Sequence, residues 1–264
     1  MFEGDRFNVA GMERLLLTLG DKKIVILNFP NNPTGYTATE SDAKAICAAL
    51  QRAAEAGKRV VTILDDAYFG LVYEEGVSRE SLFSVLCDLH PNLLAVKLDG
   101  PTKEDYVWGL RVGFLTFGCK DATPAQYKAL EAKAAGVVRG SISSVTNIGQ
   151  SLLLDAYRNP AYAVQKQEKF NTLKRRYDRI KAIFAAHPEY AHSFVPMPFN
   201  SGYFMCIKPL GIDAEAVRKH LLATRSTGVI VLMGLIRIAF SSVPCDKLDA
   251  LFDNLHAVIQ ELRT

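Results

Sequence analysis

Three short apolar runs constrain the fold of this chain more than any other feature of its sequence. They are KIVILN (Lys23–Asn28), RVVTIL (Arg59–Leu64) and NLLAVKL (Asn92–Leu98). Short runs that are apolar almost throughout are typical of strands buried on both faces of a parallel sheet. Polar or turn-forming residues follow each run, so each strand is expected to end in a loop that can carry chemistry.

A helix is predicted between the first two strands. Thr37 and Glu40 have the spacing of a capping box, and apolar residues then recur at helical spacing from Ala43 to Ala54, until Gly57. A strand, a helix and a second strand in this order cross over on the right in a parallel sheet. The pattern therefore predicts an α/β fold.

The remaining patterns predict two domains. The first, residues 1–158, is expected to be a mostly parallel sheet sandwiched by helices, and the second, residues 159–264, a linking helix and a small α+β domain. The further predicted helices are Ser81–Leu89, Pro124–Val138, Ser141–Arg158, Ala161–Ala186, Asp213–Thr224 and Cys245–Leu262. The further predicted strands are Val112–Phe117, Tyr203–Ile207, Gly228–Leu232 and Leu235–Phe240.

Composition excludes several classes of function. The net charge of +3 is spread along the chain without a basic block, so no nucleic-acid partner is expected. No run of 18 apolar residues and no signal-peptide pattern occurs, which argues against a membrane or exported protein. Five cysteines without CxxC spacing and five histidines without HExxH spacing suggest no disulfide framework and no metal site. We therefore expect a cytoplasmic protein.

The segment Asp99–Phe114 sets Lys103 eight residues before Arg111. A lysine amine that is partly desolvated or near another cation can attack a carbonyl carbon to form a Schiff base. A guanidinium offers paired donors that suit a phosphate. Together the two residues would fit an aldehyde cofactor that carries a phosphate, such as pyridoxal phosphate. A solvated turn between two strands is the alternative interpretation.

Two other loops follow predicted strands. Asn32 lies in FPNNPTG after the first strand, where its amide could donate to a cofactor, or form a plain Asn-Pro turn. Asp65 and Tyr68 follow the second strand. The carboxylate could pair with a protonated pyridine nitrogen and the phenol could donate to the 3-oxygen of the ring. A loop carboxylate beside a packed tyrosine is the alternative.

A cation also lies within a predicted strand of the second domain. Arg237 stands in LIRIAF, and burying a guanidinium among apolar residues is costly unless an anion meets it. Arg237 could therefore bind an anion. The alternative is a side chain whose charged end reaches solvent.

These motifs together resemble a known family. NFPNNPTGY, DDAY, TK followed by GLRVG, and IRIAFSS look like the class I and II aminotransferases of pyridoxal-phosphate fold type I. The resemblance covers most of the chain. It implies an enzyme that moves an amino group from an amino acid to a 2-oxo acid, with pyridoxal 5′-phosphate as cofactor and a homodimeric assembly.

The resemblance also implies a role for each candidate residue. Lys103 would form the internal aldimine and shuttle the proton, and Asp65 would pair with the pyridine nitrogen. Asn32 and Tyr68 would bond the 3-oxygen, and Arg111 would hold the phosphate. Arg237 would bind the α-carboxylate of the substrate, and Asn32 would also contact the substrate. Many family members carry a phosphate-binding serine three residues before the lysine; Gly100 stands there in this chain, so Thr102 is the nearest hydroxyl.

The chain departs from the family at its beginning. Family members have a long segment before the asparagine loop with a glycine-rich phosphate cradle, whereas 31 residues precede Asn32 here. We therefore expect a partial enzyme that binds the cofactor weakly and transaminates little alone. Two alternatives remain open: another fold type I reaction on the same cofactor, such as β-elimination, and a catalytically impaired fragment used for binding.

Overall fold

A computed structural model describes residues 1–263, which divide into two compact units. The first unit consists of Met1–Pro30 and Thr37–Tyr162. The second consists of Asn31–Tyr36 and the chain from Ala163 onward. The expected division at residues 158 and 159 placed the asparagine loop in the first domain, whereas in the structure that loop clusters with the second unit.

The first unit is built on a four-stranded sheet in the order β3-β4-β5-β6. Strands β3, β4 and β5 are parallel, and β6 runs antiparallel to β5. The expected α/β fold with a mostly parallel sheet is confirmed. The strands of this unit are β1 (Phe2–Glu3), β2 (Arg6–Phe7), β3 (Lys22–Asn28), β4 (Arg59–Asp65), β5 (Leu93–Asp99) and β6 (Phe114–Gly118). Its helices are α1 (Val9–Leu16), α2 (Glu40–Glu55), α3 (Phe83–Leu86), α4 (Pro101–Glu104), α5 (Pro124–Ser141) and α6 (Asn147–Arg158).

Helix α2 covers one face of this sheet. Leu27 of β3 and Leu64 of β4 are buried in one cluster with Ile46 and Leu50 of α2. Because side chains alternate along a strand, the residues beside Leu27 point to the other face. There Ile24 is 72% exposed and Ile26 is 66% exposed. The face of β3 opposite α2 is therefore an apolar surface open to solvent.

Several helix boundaries differ from the sequence prediction. Helix α2 is capped by Thr39, whose hydroxyl accepts from the backbone N–H of Asp42 at 3.1 Å, and not by Thr37. Thr39 pairs with Val77 in an isolated bridge, which keeps the chain extended up to that residue. The helix predicted over 81–89 is shorter, Phe83–Leu86, and the hydroxyl of Ser81 accepts from the Phe83 N–H at 3.1 Å where it begins.

The helix predicted over 141–158 begins only at Asn147. Ser143 adopts a left-handed conformation with φ 69°, which a continuous helix does not allow. The hydroxyl of Thr146 then accepts from the N–H of Gly149 at 3.0 Å and caps the new helix. Helices α5 and α6 are therefore separated by a turn over 142–146.

The second unit contains an antiparallel sheet in the order β7-β8-β10-β9. The strand predicted over 203–207 lies at Met205–Pro209, and the one predicted over 235–240 ends at Ile238. Its strands are β7 (Phe194–Pro196), β8 (Met205–Pro209), β9 (Ile230–Leu232) and β10 (Leu235–Ile238). Its helices are α7 (Tyr162–Ala186, of which Tyr162 belongs to the first unit), α8 (Ala214–Arg225) and α9 (Leu248–Glu261).

Candidate active site

A groove of about 440 Å³ lies at the carboxyl ends of β4 and β5 in the first unit. Its volume is within the range of small-molecule pockets, roughly 300 to 1,000 Å³. Four of the residues singled out from the sequence line it, namely Asp65, Thr102, Lys103 and Arg111. The groove therefore collects a carboxylate, a hydroxyl, an amine and a guanidinium.

Asp65 is the last residue of β4 and is held in place by the strands on either side. Its Cα lies in register with Asn28 of β3 and Leu98 of β5. The amide of Asn28 donates to the Asp65 carbonyl at 3.0 Å, and the Ala67 N–H lies 3.4 Å from an Asp65 carboxylate oxygen. The main chain of Asp65 is thus fixed on one side by a side-chain hydrogen bond and on both sides by strand pairing.

Tyr68 follows Asp65 on the turn after β4. The side chain is buried, with 6% of its surface exposed. Its ring centroid lies 5.7 Å from Nζ of Lys103. Tyr68 therefore packs beside the lysine that lines the groove.

Lys103 lies on the short helix α4, in a segment for which no helix was predicted. Pro101 occupies the first turn of this helix, a position at which proline is well tolerated. A Cβ on Gly100 would lie 2.9 Å from the Cα of Gly113 and 2.9 Å from the carbonyl oxygen of Val112. The residue before the helix must therefore be glycine for α4 to lie this close to the strand that follows.

Thr102 and Arg111 complete the groove. The hydroxyl of Thr102 donates to the Val112 carbonyl at 3.4 Å. Arg111 has a left-handed backbone conformation with φ 54°, and its Nη1 donates to the carbonyl of Trp108 at 3.3 Å. A non-glycine residue in this conformation carries backbone strain, which is common in residues that hold ligands.

A charged cluster that the sequence analysis missed lies beside the groove. Lys97 of β5 forms an ion pair with Asp99, and its Nζ lies 4.0 Å from Asp66. Asp66 is buried and accepts from the hydroxyl of Ser81 at 2.5 Å. Burial raises the pKa of the Asp66 carboxyl, against the effects of Ser81 and Lys97. Alternation in Lys97-Leu98-Asp99 is the sequence signal that could have placed Lys97 and Asp99 on one face.

The loop Asn31–Tyr36 is fixed by hydrogen bonds within the second unit. The carbonyl of Gly35 accepts from the backbone N–H groups of Asn200 and Ser201, both at 2.9 Å. Gly35 has φ 75°, and a Cβ there would lie 2.0 Å from the carbonyl oxygen of Phe204. Only glycine is therefore compatible with this packing.

Arg237 and Asn32 meet in the second unit. Nη1 of Arg237 donates to the side-chain oxygen of Asn32 at 2.9 Å. The guanidinium lies over the ring of Phe204, 4.4 Å from its centroid, a cation–π contact that helps to hold it. Nε of Arg237 is buried and has no hydrogen-bond partner among the described residues. A buried donor of this kind is suited to an anionic ligand that would accept from it.

Cys206 lies in register with Arg237 on the neighbouring strand. Its thiol donates to the carbonyl of Pro33 at 3.3 Å. Burial raises the pKa of this thiol to about 11, although the positive charge of Arg237 opposes the shift. Cys206 is therefore a protonated packing residue beneath the loop.

Two further structural features concern function. None of the helices within residues 1–263 is long and apolar enough to cross a membrane. The same residues contain no group of three or more histidine, cysteine, aspartate or glutamate side chains arranged to hold a metal ion.

The fold and the groove place the chain in a class of α/β proteins with a lysine at the sheet edge, and comparison with known proteins identifies the family. Residues 3–255 match the family model described as "Aminotransferase class I and II". The chain therefore belongs to this family.

Individual relatives agree with this assignment. The chain is 30% identical over 164 residues to the probable N-acetyl-LL-diaminopimelate aminotransferase of Bacillus subtilis (strain 168), a match that covers 61% of this chain and 36% of the relative. An aminotransferase of Anaerococcus prevotii DSM 20548 has the same fold, with a TM-score of 0.82 and 24% identity, over 97% of this chain and 62% of that one. The aspartate aminotransferase of Thermotoga maritima superposes with a TM-score of 0.70 and 19% identity. This match covers 98% of the present chain and 61% of the Thermotoga chain. The chain thus spans less than two thirds of these relatives.

Proposed function

We propose that this chain binds pyridoxal 5′-phosphate in the groove of the first unit and that the active enzyme is an aminotransferase. The groove lined by Lys103, Arg111 and Asp65 is the observation that carries the proposal. An amine for an aldehyde, a guanidinium for a phosphate and a carboxylate for a pyridinium are the three groups that such a cofactor needs. Family membership supports the same reaction class.

Each residue has a proposed role. When bound, the cofactor would supply a pyridine ring that withdraws electrons from the reacting carbon. Lys103 would hold the aldehyde through its Nζ, with loss of water, and would carry the proton during transfer once the amino group of the substrate has displaced it. Arg111 and Thr102 would bind the phosphate, and Asp65 would keep the ring nitrogen protonated. Tyr68 would donate to the 3-oxygen of the ring.

Arg237 would bind the α-carboxylate of an amino acid or a 2-oxo acid. Its unpartnered Nε and its fork of donors suit a carboxylate, and the contacts to Asn32 and Phe204 reduce the entropy lost on binding. A carboxylate contact selects amino acids as a class. It does not select one side chain.

We further propose a cytoplasmic homodimer. The five cysteines are free thiols, as expected in a reducing compartment. The exposed isoleucines Ile24 and Ile26 offer apolar area of the kind that protein contacts cover. Sedimentation at several protein concentrations would measure the assembly.

A single-turnover reaction tests the proposed function. The chain, in excess over an amino acid and with the cofactor at saturating concentration, should form pyridoxamine phosphate and the matching 2-oxo acid faster than free cofactor does. Lys103→Ala should reduce the rate to the free-cofactor background, because the amine that carries the proton is gone. Equal rates for the wild type and Lys103→Ala would contradict the proposal. Release of ammonia in place of pyridoxamine phosphate would indicate a lyase.

A further inference from the structure

Asp105 lies two positions after Lys103 and is bound by two phenols. The hydroxyl of Tyr157, near the end of α6, donates to Oδ2 of Asp105 at 2.7 Å. The hydroxyl of Tyr162, the first residue of α7, donates to Oδ1. The two rings pack edge to face, with centroids 5.1 Å apart. Both oxygens of one carboxylate are therefore held by a pair of tyrosines that support each other.

The phenols act as donors to an anion. Hydrogen bonds to an ionised carboxylate are stronger than those between neutral groups. Burial and the hydrogen bond to Asp105 raise the pKa of Tyr157 above its ordinary value. Tyr157 consequently keeps its proton and donates across the physiological pH range.

The segment that Asp105 belongs to needs external support. Asp105 ends helix α4, and the next residue, Tyr106, is left-handed with φ 60°. Arg111, at the other end of the segment, is also left-handed, with φ 54°. Both conformations are unfavourable for residues with a side chain, so they persist only where surrounding contacts hold them.

Helix α6 touches this segment at its other end as well. A Cβ on Gly149, in the first turn of α6, would lie 2.3 Å from the carbonyl oxygen of Leu110. The backbone of α6 therefore packs directly against the residue that precedes Arg111. One helix contacts the lysine segment beside Lys103 through Tyr157 and beside Arg111 through Gly149.

We propose that Asp105, Tyr157 and Tyr162 form a clamp that positions Lys103 relative to Arg111, with helix α6 as its support. Asp105 is a positioning residue, since it acts through the backbone of α4. The inference rests on the proposed function, because the distance that the clamp sets is the one between the aldehyde-binding amine and the phosphate-binding guanidinium. The clamp should therefore determine how much faster Lys103 reacts with an aldehyde that carries a phosphate than with one that lacks it.

The test compares pyridoxal phosphate with pyridoxal, which lacks the phosphate. Each aldehyde is added to the 264-residue chain, trapped with borohydride at timed intervals, and located by peptide mapping. Pyridoxal closes to an internal hemiacetal, so each ratio of rates is divided by the ratio for a free lysine derivative. The wild type should then label Lys103 at least about tenfold faster with pyridoxal phosphate than with pyridoxal, and Arg111→Ala should lose that preference. The double variant Tyr157→Phe/Tyr162→Phe should lose most of the preference although Arg111 is intact.

Three controls separate positioning from general damage. Tyr127→Phe removes a phenol elsewhere in the same unit, one that bonds the backbone of Cys119. This variant should keep the wild-type preference. Asp105→Asn retains an acceptor for a phenol and should keep more of the preference than Asp105→Ala. Labelling of Lys97 and Lys120 by a general amine reagent should be unchanged in every variant, which shows that the fold is intact.

The outcomes distinguish the two claims. A wild-type chain that does not label at Lys103 would overturn the proposed function and the clamp with it. Labelling at Lys103 with the full phosphate preference in the double phenylalanine variant would overturn the clamp alone. If the double variant unfolds, the clamp would instead be overturned by an equal phosphate preference in the wild type, Asp105→Asn and Asp105→Ala.

Discussion

At the scale of single residues, the chemistry of this chain lies in side chains that are costly without a ligand. Arg237 has a buried Nε with no hydrogen-bond partner among the described residues, yet its guanidinium is fixed by Asn32 and Phe204. Arg111 holds a strained left-handed backbone at the rim of the groove. An anion bound to Arg237 would satisfy its Nε, and a strained backbone held by surrounding contacts is common at residues that bind ligands.

Replacing Arg237 with lysine tests the carboxylate contact. Arg237→Lys keeps the charge but loses the fork, so at least one charge-assisted hydrogen bond worth about 1.5 to 3 kcal/mol should be lost. With the amino acid in excess over the loaded chain, the amino acid concentration that gives half the maximal rate of pyridoxamine phosphate formation should rise roughly 10- to 100-fold. Arg225→Lys, on a surface arginine of the same unit that pairs with Glu261, is the control and should leave that concentration unchanged. Equal behaviour of the two variants would exclude Arg237 from substrate binding.

Sequence patterns predicted these residues with uneven success. Asp65 was chosen because it follows a buried strand, Lys103 and Arg111 for their spacing and chemistry, and Thr102 from the family resemblance. All four line one groove. Asp105 was missed because its partners are more than 50 positions away along the chain. No local pattern reports a contact of that separation.

At the scale of elements, apolar periodicity located the main strands and helices, but side-chain hydrogen bonds set their ends. Strand β3 and helix α2 lie where their patterns predicted. Thr37 and Thr39 each stand three residues before an acidic residue. The bridge between Thr39 and Val77 decides which of the two threonines caps the helix. The end of an element therefore depends on tertiary contacts that the sequence pattern does not contain.

The cap gives a prediction for stability. Thr39→Ala removes the acceptor for the Asp42 N–H and should lower the free energy of unfolding by about 1 kcal/mol. Thr39→Ser keeps the hydroxyl and should lose much less. Urea unfolding followed by far-ultraviolet circular dichroism measures both variants. A loss in the serine variant as large as in the alanine variant would show that the methyl group, and not the cap, matters.

At the scale of the whole molecule, the family and the fold are established. The proposed activity depends on whether this chain binds the cofactor. The sheet presents a lysine, an arginine and an aspartate at one edge and an exposed apolar face at β3. Within the second unit, Arg237 donates a hydrogen bond to Asn32. The central claim is that the groove of the first unit takes an aldehyde that carries a phosphate, and that Lys103 reacts with it.

Mapping the trapped cofactor tests that claim most directly. The chain is incubated with excess pyridoxal phosphate, reduced with borohydride, digested, and analysed by mass spectrometry. The reduced label should lie on Lys103, and Lys103→Ala should remove it while the circular dichroism spectrum stays the same. Label on Lys97 or Lys120, or label spread evenly over the lysines, would contradict the account.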